Sequence, residues 1–321
     1  MNNQEAFTSL KKCVKQRIIG QDRLIDRILI ALLADGHLLV EGAPGLAKTR
    51  AIKVLSDAIE SDFHRIQFTP DLLPADLTGT EIFRPQDGSF AFQAGPLFHN
   101  LLLADEINRA PAKVQSALLE AMAERQITVG KVTYSLPQLY IVMATQNPIE
   151  QEGTYPLPEA QLDRFLMHVR IGYPDAQAEE SILLLAREEA TRGEKITEPG
   201  EKISQQHIFD ARNEIYQLHM AENLQQYLIH IVLASRDPGV YGDDLAQWSL
   251  YGASPRATIA LDRCARAHAW LDGRDYVDPD DIQSIACDVL RHRIVLSYEA
   301  EVDGITPDKF IGELIGRIAV P

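Results

Sequence analysis

The pattern of apolar and polar positions predicts buried strands alternating with amphipathic helices in the first half of the chain. Continuous apolar runs lie at residues 38–40, 101–104 and 139–144. Such runs are typical of strands that are buried on both faces of a parallel sheet. Between the last two runs, apolar residues at helical spacing predict a helix over residues 113–124. The pattern therefore predicts an α/β fold.

The pattern changes at Tyr173-Pro174, after which the chain is predicted to be almost entirely helical. A chain of 321 residues has room for about two domains. We therefore expect an α/β domain over residues 1–174 and a helical domain over residues 175–321.

Two segments of the first domain are predicted to be hairpins. Residues 69–98 are rich in residues that break regular structure, and within them residues 81–84 and 89–92 have the pattern of a hairpin. Residues 126–137 contain a second candidate. An insertion as long as the first is more often functional than idle.

Composition narrows the class of protein. The net charge of −15, from 31 basic and 46 acidic residues, argues against a surface devoted to nucleic acid, although a local basic pore is not excluded. Three widely spaced cysteines fit a reducing compartment. With no apolar signal core and no run long enough to span a bilayer, we expect a cytoplasmic protein without direct membrane insertion.

The segment after the first apolar run has the order of a phosphate-binding loop, in which a strand leads through a glycine-containing turn into a helix. Backbone N–H groups and the helix N-terminus then face the anion. Lys48 would reach the terminal phosphates of ATP, and the Thr49 hydroxyl would bind Mg²⁺. The remaining loop residues are Gly42, Ala43, Pro44, Gly45, Leu46 and Ala47.

Ala47 stands where the strict motif has glycine. Its methyl group can be tolerated if the residue already has helical dihedral angles, because only a positive φ would need glycine. A plain Gly-Pro turn between a strand and a helix is the alternative for the whole loop.

Polar residues follow the next two buried apolar runs. In parallel sheets, ligand-binding and catalytic residues lie at the carboxyl ends of the strands. Asp105 would hold Mg²⁺ through water, and Glu106 would polarise the attacking water. The two carboxylates could instead cap the following helix. Asn147 could orient water against the γ-phosphate, although Asn147-Pro148 is equally compatible with a turn.

A bend at Ile19-Gly20 separates two amphipathic helices near the N-terminus. A small apolar bend just before a nucleotide-binding strand suits adenine, so both residues are candidates for contacting the base. A simple helix–helix turn is the alternative.

Two arginines are candidates for charge stabilisation. Arg164, just before the last predicted strand, could be supplied to a neighbouring subunit's nucleotide, or could pair with Asp163 or Glu159 on a solvated face. Arg256 follows Ser254-Pro255, which has the pattern of a helix start. A cation there opposes the helix dipole, so Arg256 would serve either the γ-phosphate or an unidentified carboxylate.

These motifs together resemble the MoxR family of AAA+ ATPases. The resemblance covers most of the chain and rests on residues 42–49, 105–111, 115–122, 144–165 and 252–257, of which the long central motif is highly specific. Alanine at position 47 is itself typical of that family. The resemblance implies an AAA+ P-loop core with a parallel five-stranded sheet and a C-terminal all-α lid.

The resemblance also implies roles for individual residues. Lys48 and Thr49 would belong to the Walker A motif, and Asp105 and Glu106 to Walker B. The remaining assignments are Asn147 as sensor 1, Arg164 as the arginine finger, Arg256 as sensor 2 and Arg109 as a further interface contact. Residues 69–98 would be the helix-2 insert of this clade, and residues 126–137 the hairpin before sensor 1; both would face the pore or a client.

Members of this family typically form hexameric rings and act as chaperone-like ATPases that use ATP and Mg²⁺. The resemblance therefore implies a protein client that is remodelled, matured or loaded with a cofactor, often together with a von Willebrand factor A domain protein. No nucleic-acid partner is expected. The alternatives are a nucleic-acid motor of the same fold, or a scaffold that binds ATP but hydrolyses little of it.

Overall fold

The computed structural model describes residues 2–86, 88–148, 153–192 and 202–321. Residues 149–152 of the long central motif and Asp87 in the turn of the first hairpin lie outside the described residues. The described strands are β1 (Leu38–Glu41), β2 (Phe63–Gln67), β3 (Gly79–Arg84), β4 (Ser89–Ala94), β5 (Leu101–Asp105), β6 (Gln126–Val129), β7 (Val132–Ser135), β8 (Ile141–Gln146), β9 (Met167–Arg170), β10 (Ser249–Tyr251) and β11 (Val295–Leu296).

The described helices alternate with the strands in the first half of the chain and dominate the second half. They are α1 (Asn3–Arg17), α2 (Asp22–Leu33), α3 (Lys48–Ala58), α4 (Pro74–Thr78), α5 (Ala112–Glu124), α6 (Glu159–Leu162), α7 (Ala176–Arg192), α8 (Gln205–Gln217), α9 (Glu222–Arg236), α10 (Asp243–Trp248), α11 (Pro255–Leu271), α12 (Pro279–Leu290), α13 (Tyr298–Val302) and α14 (Pro307–Arg317).

The central sheet has five strands in the order β2-β5-β8-β1-β9. The pairs β2–β5, β5–β8 and β1–β8 are parallel. Every residue of β5 is buried, as expected for a strand covered on both faces. The predicted α/β fold with a parallel five-stranded sheet is confirmed.

Strand register brings the ends of neighbouring strands together. Asp105 at the end of β5 lies opposite Gln67 of β2, and Gln146 at the end of β8 lies opposite Glu41 of β1. Because these strands are parallel, their carboxyl ends form one edge of the sheet. The loops that follow β1, β5 and β8 therefore begin at the same edge.

Both predicted hairpins are present. β3 pairs with β4 in antiparallel fashion from Gly79↔Ala94 to Arg84↔Ser89, so this hairpin is longer than the sequence pattern predicted. β6 pairs with β7 in the same way. The Phe92 and Tyr134 rings stack with their centroids 4.1 Å apart, which joins the two hairpins.

The chain divides into two compact units. Unit 1 comprises Met1–Leu29, His37–Leu157 and Val169–Ile208, and unit 2 comprises Ile30–Gly36, Pro158–His168 and Phe209–Pro321. The boundary therefore falls within α2, β9 and α8. The predicted division into domains at residue 174 stays a prediction.

Unit 2 is mainly helical, and two helix starts in it follow the expected capping chemistry. Ser254 accepts a hydrogen bond from the backbone of Arg256, and Asp278 accepts one from Asp281. The unit also holds an antiparallel pair, β10 and β11. These strands are too short to give a recognisable alternation, which is why the sequence pattern predicted helix alone. None of the described helices combines the length and the apolar character needed to cross a bilayer.

A buried histidine secures the strand that leads into the phosphate loop. His37 accepts a hydrogen bond at Nδ1 from the Val142 backbone N–H at 3.1 Å. Its Nε2 then carries the proton and donates to the Met122 carbonyl at 3.3 Å. His37 therefore ties the start of β1 to β8 and to the end of α5.

We expect His37→Phe to lower the free energy of unfolding by about 2–4 kcal/mol, because two buried backbone groups lose their partner. Urea denaturation would measure the change. The matched control is His230→Phe at an exposed position, which should change stability by no more than about 0.5 kcal/mol. Equal losses in the two variants would contradict the bridging role of His37.

Candidate active site

Two glycines shape the phosphate loop for different reasons. A Cβ on Gly42 would lie 2.4 Å from Ile171 Cγ1, so the backbone after β1 packs too closely for any side chain. A Cβ on Gly45 would meet nothing within 4 Å, but its φ of +84° is one that glycine adopts most readily. Gly42 thus permits close packing, and Gly45 permits the turn.

Ala47 has a left-handed conformation, with φ 57° and ψ 19°. The condition set by the sequence for an alanine here, helical dihedral angles, is therefore not met. A left-handed residue directly before a helix turns successive N–H groups toward one side, as an anion-binding loop requires. For a non-glycine residue this conformation costs roughly 1–2 kcal/mol.

Lys48 begins α3, and its ammonium group points back into the loop. Its Nζ donates a hydrogen bond to the Gly42 carbonyl at 2.6 Å. Burial lowers the pKa of Lys48, and the negative charges of Asp105, Glu106 and Glu41 partly oppose that shift. A phosphate placed here would restore the charge stabilisation that burial removes from the ammonium.

The hydroxyl of Thr145, on β8, holds both members of the acidic pair. It donates to Asp105 Oδ1 at 2.6 Å and accepts from the backbone N–H of Glu106 at 2.9 Å. The Glu106 side chain makes no capping hydrogen bond to the helical turn that follows it, so the capping alternative is wrong for Glu106. Asp105 and Glu106 are thus fixed at the carboxyl edge of the sheet.

Two residues of β2 bind the acidic pair, and sequence reasoning missed both. Arg65 donates to Asp105 Oδ2 from Nη2 at 2.7 Å and from Nε at 3.0 Å. Gln67 Nε2 donates to Glu106 Oε2 at 2.8 Å. The available signal was their spacing, because residues two apart on a strand lie on one face.

Glu106 is held in an uncommon conformation. Its φ is +57°, and Oε2 also forms an ion pair with Arg109, whose Nε lies 3.0 Å away. Arg109, which the resemblance places at a subunit interface, therefore contacts Glu106 within its own chain. A strained backbone at a site is a recurrent feature of catalytic residues.

A polar cavity of about 400 Å³ brings the predicted phosphate and metal residues together. Asn147, which follows β8 and is buried, also faces this cavity. The lining residues are Pro44, Gly45, Leu46, Ala47, Lys48, Thr49, Arg50, Arg65, Asp105, Glu106 and Asn147. Gly42 and Ala43 precede this lining in the loop.

A second cavity of about 420 Å³, more apolar than the first, adjoins the same loop. Ile19 lines it, and Gly20 lies beside it with φ +75°. A Cβ on Gly20 would lie 2.9 Å from Ala178 Cβ and 3.0 Å from Pro174 Cβ. The bend thus packs closely against the start of α7.

Several residues of this second cavity escaped sequence analysis, namely Arg17, Ile18, Gln21, Tyr173, Pro174, Glu179, Ile182, Leu185 and Ala186. Six of these nine lie at or after the predicted domain break at Tyr173-Pro174. No local pattern in α7 indicates that its residues face a cavity formed with the N-terminal bend.

The two cavities together fit a nucleotide. They share residues 44–47 and Arg50, so the polar and the apolar spaces adjoin the same loop. Their volumes are typical of ligand sites. Thr49 and Asp105 offer the oxygen ligands that Mg²⁺ prefers. The residues present in unit 1 therefore suit ATP and Mg²⁺.

The two candidate arginines belong to unit 2. Arg256, near the start of α11, lies with Nη1 3.5 Å from Asp163 Oδ2. Asp163 is thus the carboxylate that the sequence left unidentified. Arg164 is the next residue after Asp163. The contacts of both arginines with nucleotide stay predictions.

Comparison with known proteins gives matches over nearly the whole chain. A family model described as "ATPase family associated with various cellular activities (AAA)" matches residues 37–167, and an AAA lid domain model matches residues 249–314. The chaperone MoxR1 of Mycobacterium tuberculosis is 46% identical over 96% of this chain and 80% of its own length. The Bacillus subtilis protein YeaC is 42% identical over 96% of this chain and 92% of its own length.

A solved structure is also similar. The crystal structure of an ATPase candidate from Cytophaga hutchinsonii has a TM-score of 0.91 at 45% identity, and the match covers 99% of this chain and 96% of that one. The likeness extends over both units.

We expect Gly20→Ala to weaken ADP binding by about tenfold, because the added methyl group would clash with Pro174 and Ala178 beside the apolar cavity. Isothermal titration would measure the dissociation constant. Gly273→Ala is the matched control, since Gly273 has φ +80° but an added Cβ would meet nothing within 4 Å. If both variants bind ADP as the wild type does, the apolar cavity does not hold the base.

We expect Arg65→Gln to lower the Mg²⁺ concentration needed for half-maximal binding of a fluorescent ATP analogue by about two- to fivefold. The reason is that Arg65 competes with the metal for Asp105. Arg84→Gln, an exposed change on β3, should leave this concentration unchanged. A higher requirement for Mg²⁺ in Arg65→Gln would mean that Arg65 supports the phosphates instead.

Proposed function

The chain belongs to the MoxR family of AAA+ ATPases, and we propose that it hydrolyses ATP with Mg²⁺ to remodel or mature a protein client. One observation carries the proposal of hydrolysis. Thr145 fixes Asp105 and Glu106 in the lining of the polar cavity, which the phosphate loop also lines. A metal ligand, a base and a phosphate cradle are thus brought to one space.

In the proposed reaction, the loop N–H groups and Lys48 bind the phosphates, and Thr49 and Asp105 would hold the metal. When bound, Mg²⁺ draws negative charge from the phosphate oxygens. Glu106 takes the proton from the attacking water, and the Asn147 amide orients that water.

The two arginines complete the proposed site. Arg256 contacts the γ-phosphate as sensor 2, and Arg164 reaches the nucleotide of a neighbouring subunit as an arginine finger. This arrangement requires a ring, which we propose to be a hexamer. The support for it is the resemblance, together with the presence of Glu106, Asn147 and Arg164 in one chain.

We further propose that the hairpin β3–β4 contacts the client. The Phe83 and Phe90 side chains are 52% and 68% exposed on this hairpin, so they offer apolar surface to a partner. The relative named chaperone MoxR1 supports a chaperone-like role. A von Willebrand factor A domain protein is the proposed accessory partner, and neither nucleic acid nor direct membrane insertion has a part.

The proposed compartment is the cytoplasm. In the described part of the chain, no disulfide joins Cys13, Cys264 and Cys287, and cysteines stay reduced in reducing compartments.

A nucleotide-switched scaffold is the second candidate function. It is favoured by the two contacts that Gln67 and Arg109 make with Glu106 Oε2, because a base engaged in this way has to be released before it can accept a proton. Turnover measurements distinguish the two candidates.

We expect Glu106→Gln to lower ATP turnover by about a hundredfold or more while ATP binding is retained, because the amide cannot accept the proton. Glu120→Gln, at an exposed position on α5, serves as the matched control and should turn over ATP normally. Wild-type turnover that is already negligible in the assembled protein would favour the scaffold.

We expect ATP turnover per chain to rise with protein concentration as the oligomer forms. Measurements of molecular mass would follow the formation of the oligomer. Arg164→Ala should bind ATP yet lose about a hundredfold or more in rate. Mixing Arg164→Ala with Glu106→Gln subunits should restore part of the activity, since some interfaces then combine an intact Glu106 with an intact Arg164. Turnover that is flat with concentration and indifferent to Arg164 would overturn the shared site.

A further inference from the structure

The segment that carries Arg164 is held by hydrogen bonds from three consecutive residues after α12, namely Arg291, His292 and Arg293. Arg293 Nη2 and His292 Nε2 both donate to the Phe165 carbonyl, at 2.6 Å and 3.1 Å. Arg291 Nη1 donates to the carbonyl of His168. The backbone that follows Arg164 is therefore held by side chains of unit 2 itself.

Arg293 also binds Asp163, the residue before Arg164. Arg293 Nε donates to Asp163 Oδ1 at 2.8 Å, and only 2% of the Arg293 side chain is exposed. A buried guanidinium needs a partner, because an unpaired charge is costly away from water. Asp163 supplies that partner, so its carboxylate is fixed in place.

The Asp163 carboxylate also holds the N-terminus of α11. The Ser254 hydroxyl lies 3.0 and 2.9 Å from the two carboxylate oxygens and donates to them. Ser254 is also the N-cap of α11, where its oxygen accepts from the Arg256 backbone N–H at 3.2 Å. One serine thus joins the residue next to Arg164 to the helix that carries Arg256.

By contrast, the Arg256 side chain is held loosely. Its Nη1 is 3.5 Å from Asp163 Oδ2, at the limit of a hydrogen bond, and 56% of the side chain is exposed. Exposed pairs of this kind contribute little. Arg256 can therefore leave Asp163 for a stronger anion while Ser254 and Arg293 keep their bonds.

We infer that Asp163 is a positioning residue that couples Arg256 to Arg164. The inference rests on the proposed function, in which Arg256 serves one nucleotide and Arg164 serves the neighbouring subunit's. When Arg256 turns to a γ-phosphate, a shift of the α11 N-terminus passes through Ser254 and Asp163 to the backbone of Arg164. Whether one ATP site holds a γ-phosphate then determines the position of Arg164 at the ATP site of the neighbouring subunit.

The test removes the Ser254 link and spares the buried pair of Asp163 and Arg293, so that unit 2 still folds. We expect Ser254→Ala to lower kcat for ATP hydrolysis by about tenfold and to leave ADP affinity within about twofold, because ADP lacks the γ-phosphate. Ser254→Thr keeps the hydroxyl and should restore kcat. Ser297→Ala removes the equivalent cap from α13 and should leave kcat unchanged.

A double-mutant cycle separates coupling from a merely structural role. In an Arg256→Ala or an Arg164→Ala background, Ser254→Ala should cause little further loss of kcat, because the coupled residue is already gone. Losses that multiply independently would overturn the coupling, as would a Ser254→Ala variant with wild-type kcat. If Arg256→Ala and Arg164→Ala alone leave kcat unchanged, the part of the proposed function that gives these two arginines roles at the nucleotide is wrong.

Discussion

The hydrogen bonds of one hydroxyl group join the two strands on which the candidate chemistry depends. Thr145 lies on β8, two residues before Asn147, and its bonds to Asp105 and to the Glu106 backbone reach across to the end of β5. Neighbouring parallel strands already share an edge, but they do not by themselves set the direction of a carboxylate. Thr145 supplies that direction and so fixes where a base can lie relative to the phosphate loop.

The sequence was sufficient to predict where in the fold the site residues that follow β-strands would lie. Asp105, Glu106 and Asn147 lie within three residues of a buried apolar run, Lys48 and Thr49 end the loop that follows another, and the structure brings all five to one cavity. Their placement could be predicted because the carboxyl edge of a parallel sheet is set by topology alone. The fold class followed from the same apolar runs.

Other features depend on contacts between segments that are distant in the chain, and these escaped prediction. The apolar cavity uses Ile19 and Ile182, which are widely separated in sequence, and α7 has no local pattern that indicates this partner. Arg65 was missed because an arginine on a strand is usually solvated. The left-handed conformation of Ala47 escaped prediction because alanine prefers helical dihedral angles, whereas the geometry of the anion-binding loop imposes a left-handed residue.

The contacts of Arg65 have a consequence for the entry of ATP into the polar cavity. Arg65 neutralises Asp105, Arg109 neutralises Glu106, and the Lys48 ammonium rests on a carbonyl. Each of the two carboxylates thus has an arginine partner, whereas Lys48 has a backbone carbonyl. Binding of ATP and metal is therefore an exchange of partners. A phosphate replaces the Gly42 carbonyl as the partner of Lys48, and a metal ion replaces the Arg65 guanidinium as the partner of Asp105. In such an exchange the net gain in electrostatic free energy is small. Selectivity among ligands then depends on which ion pairs each ligand has to break.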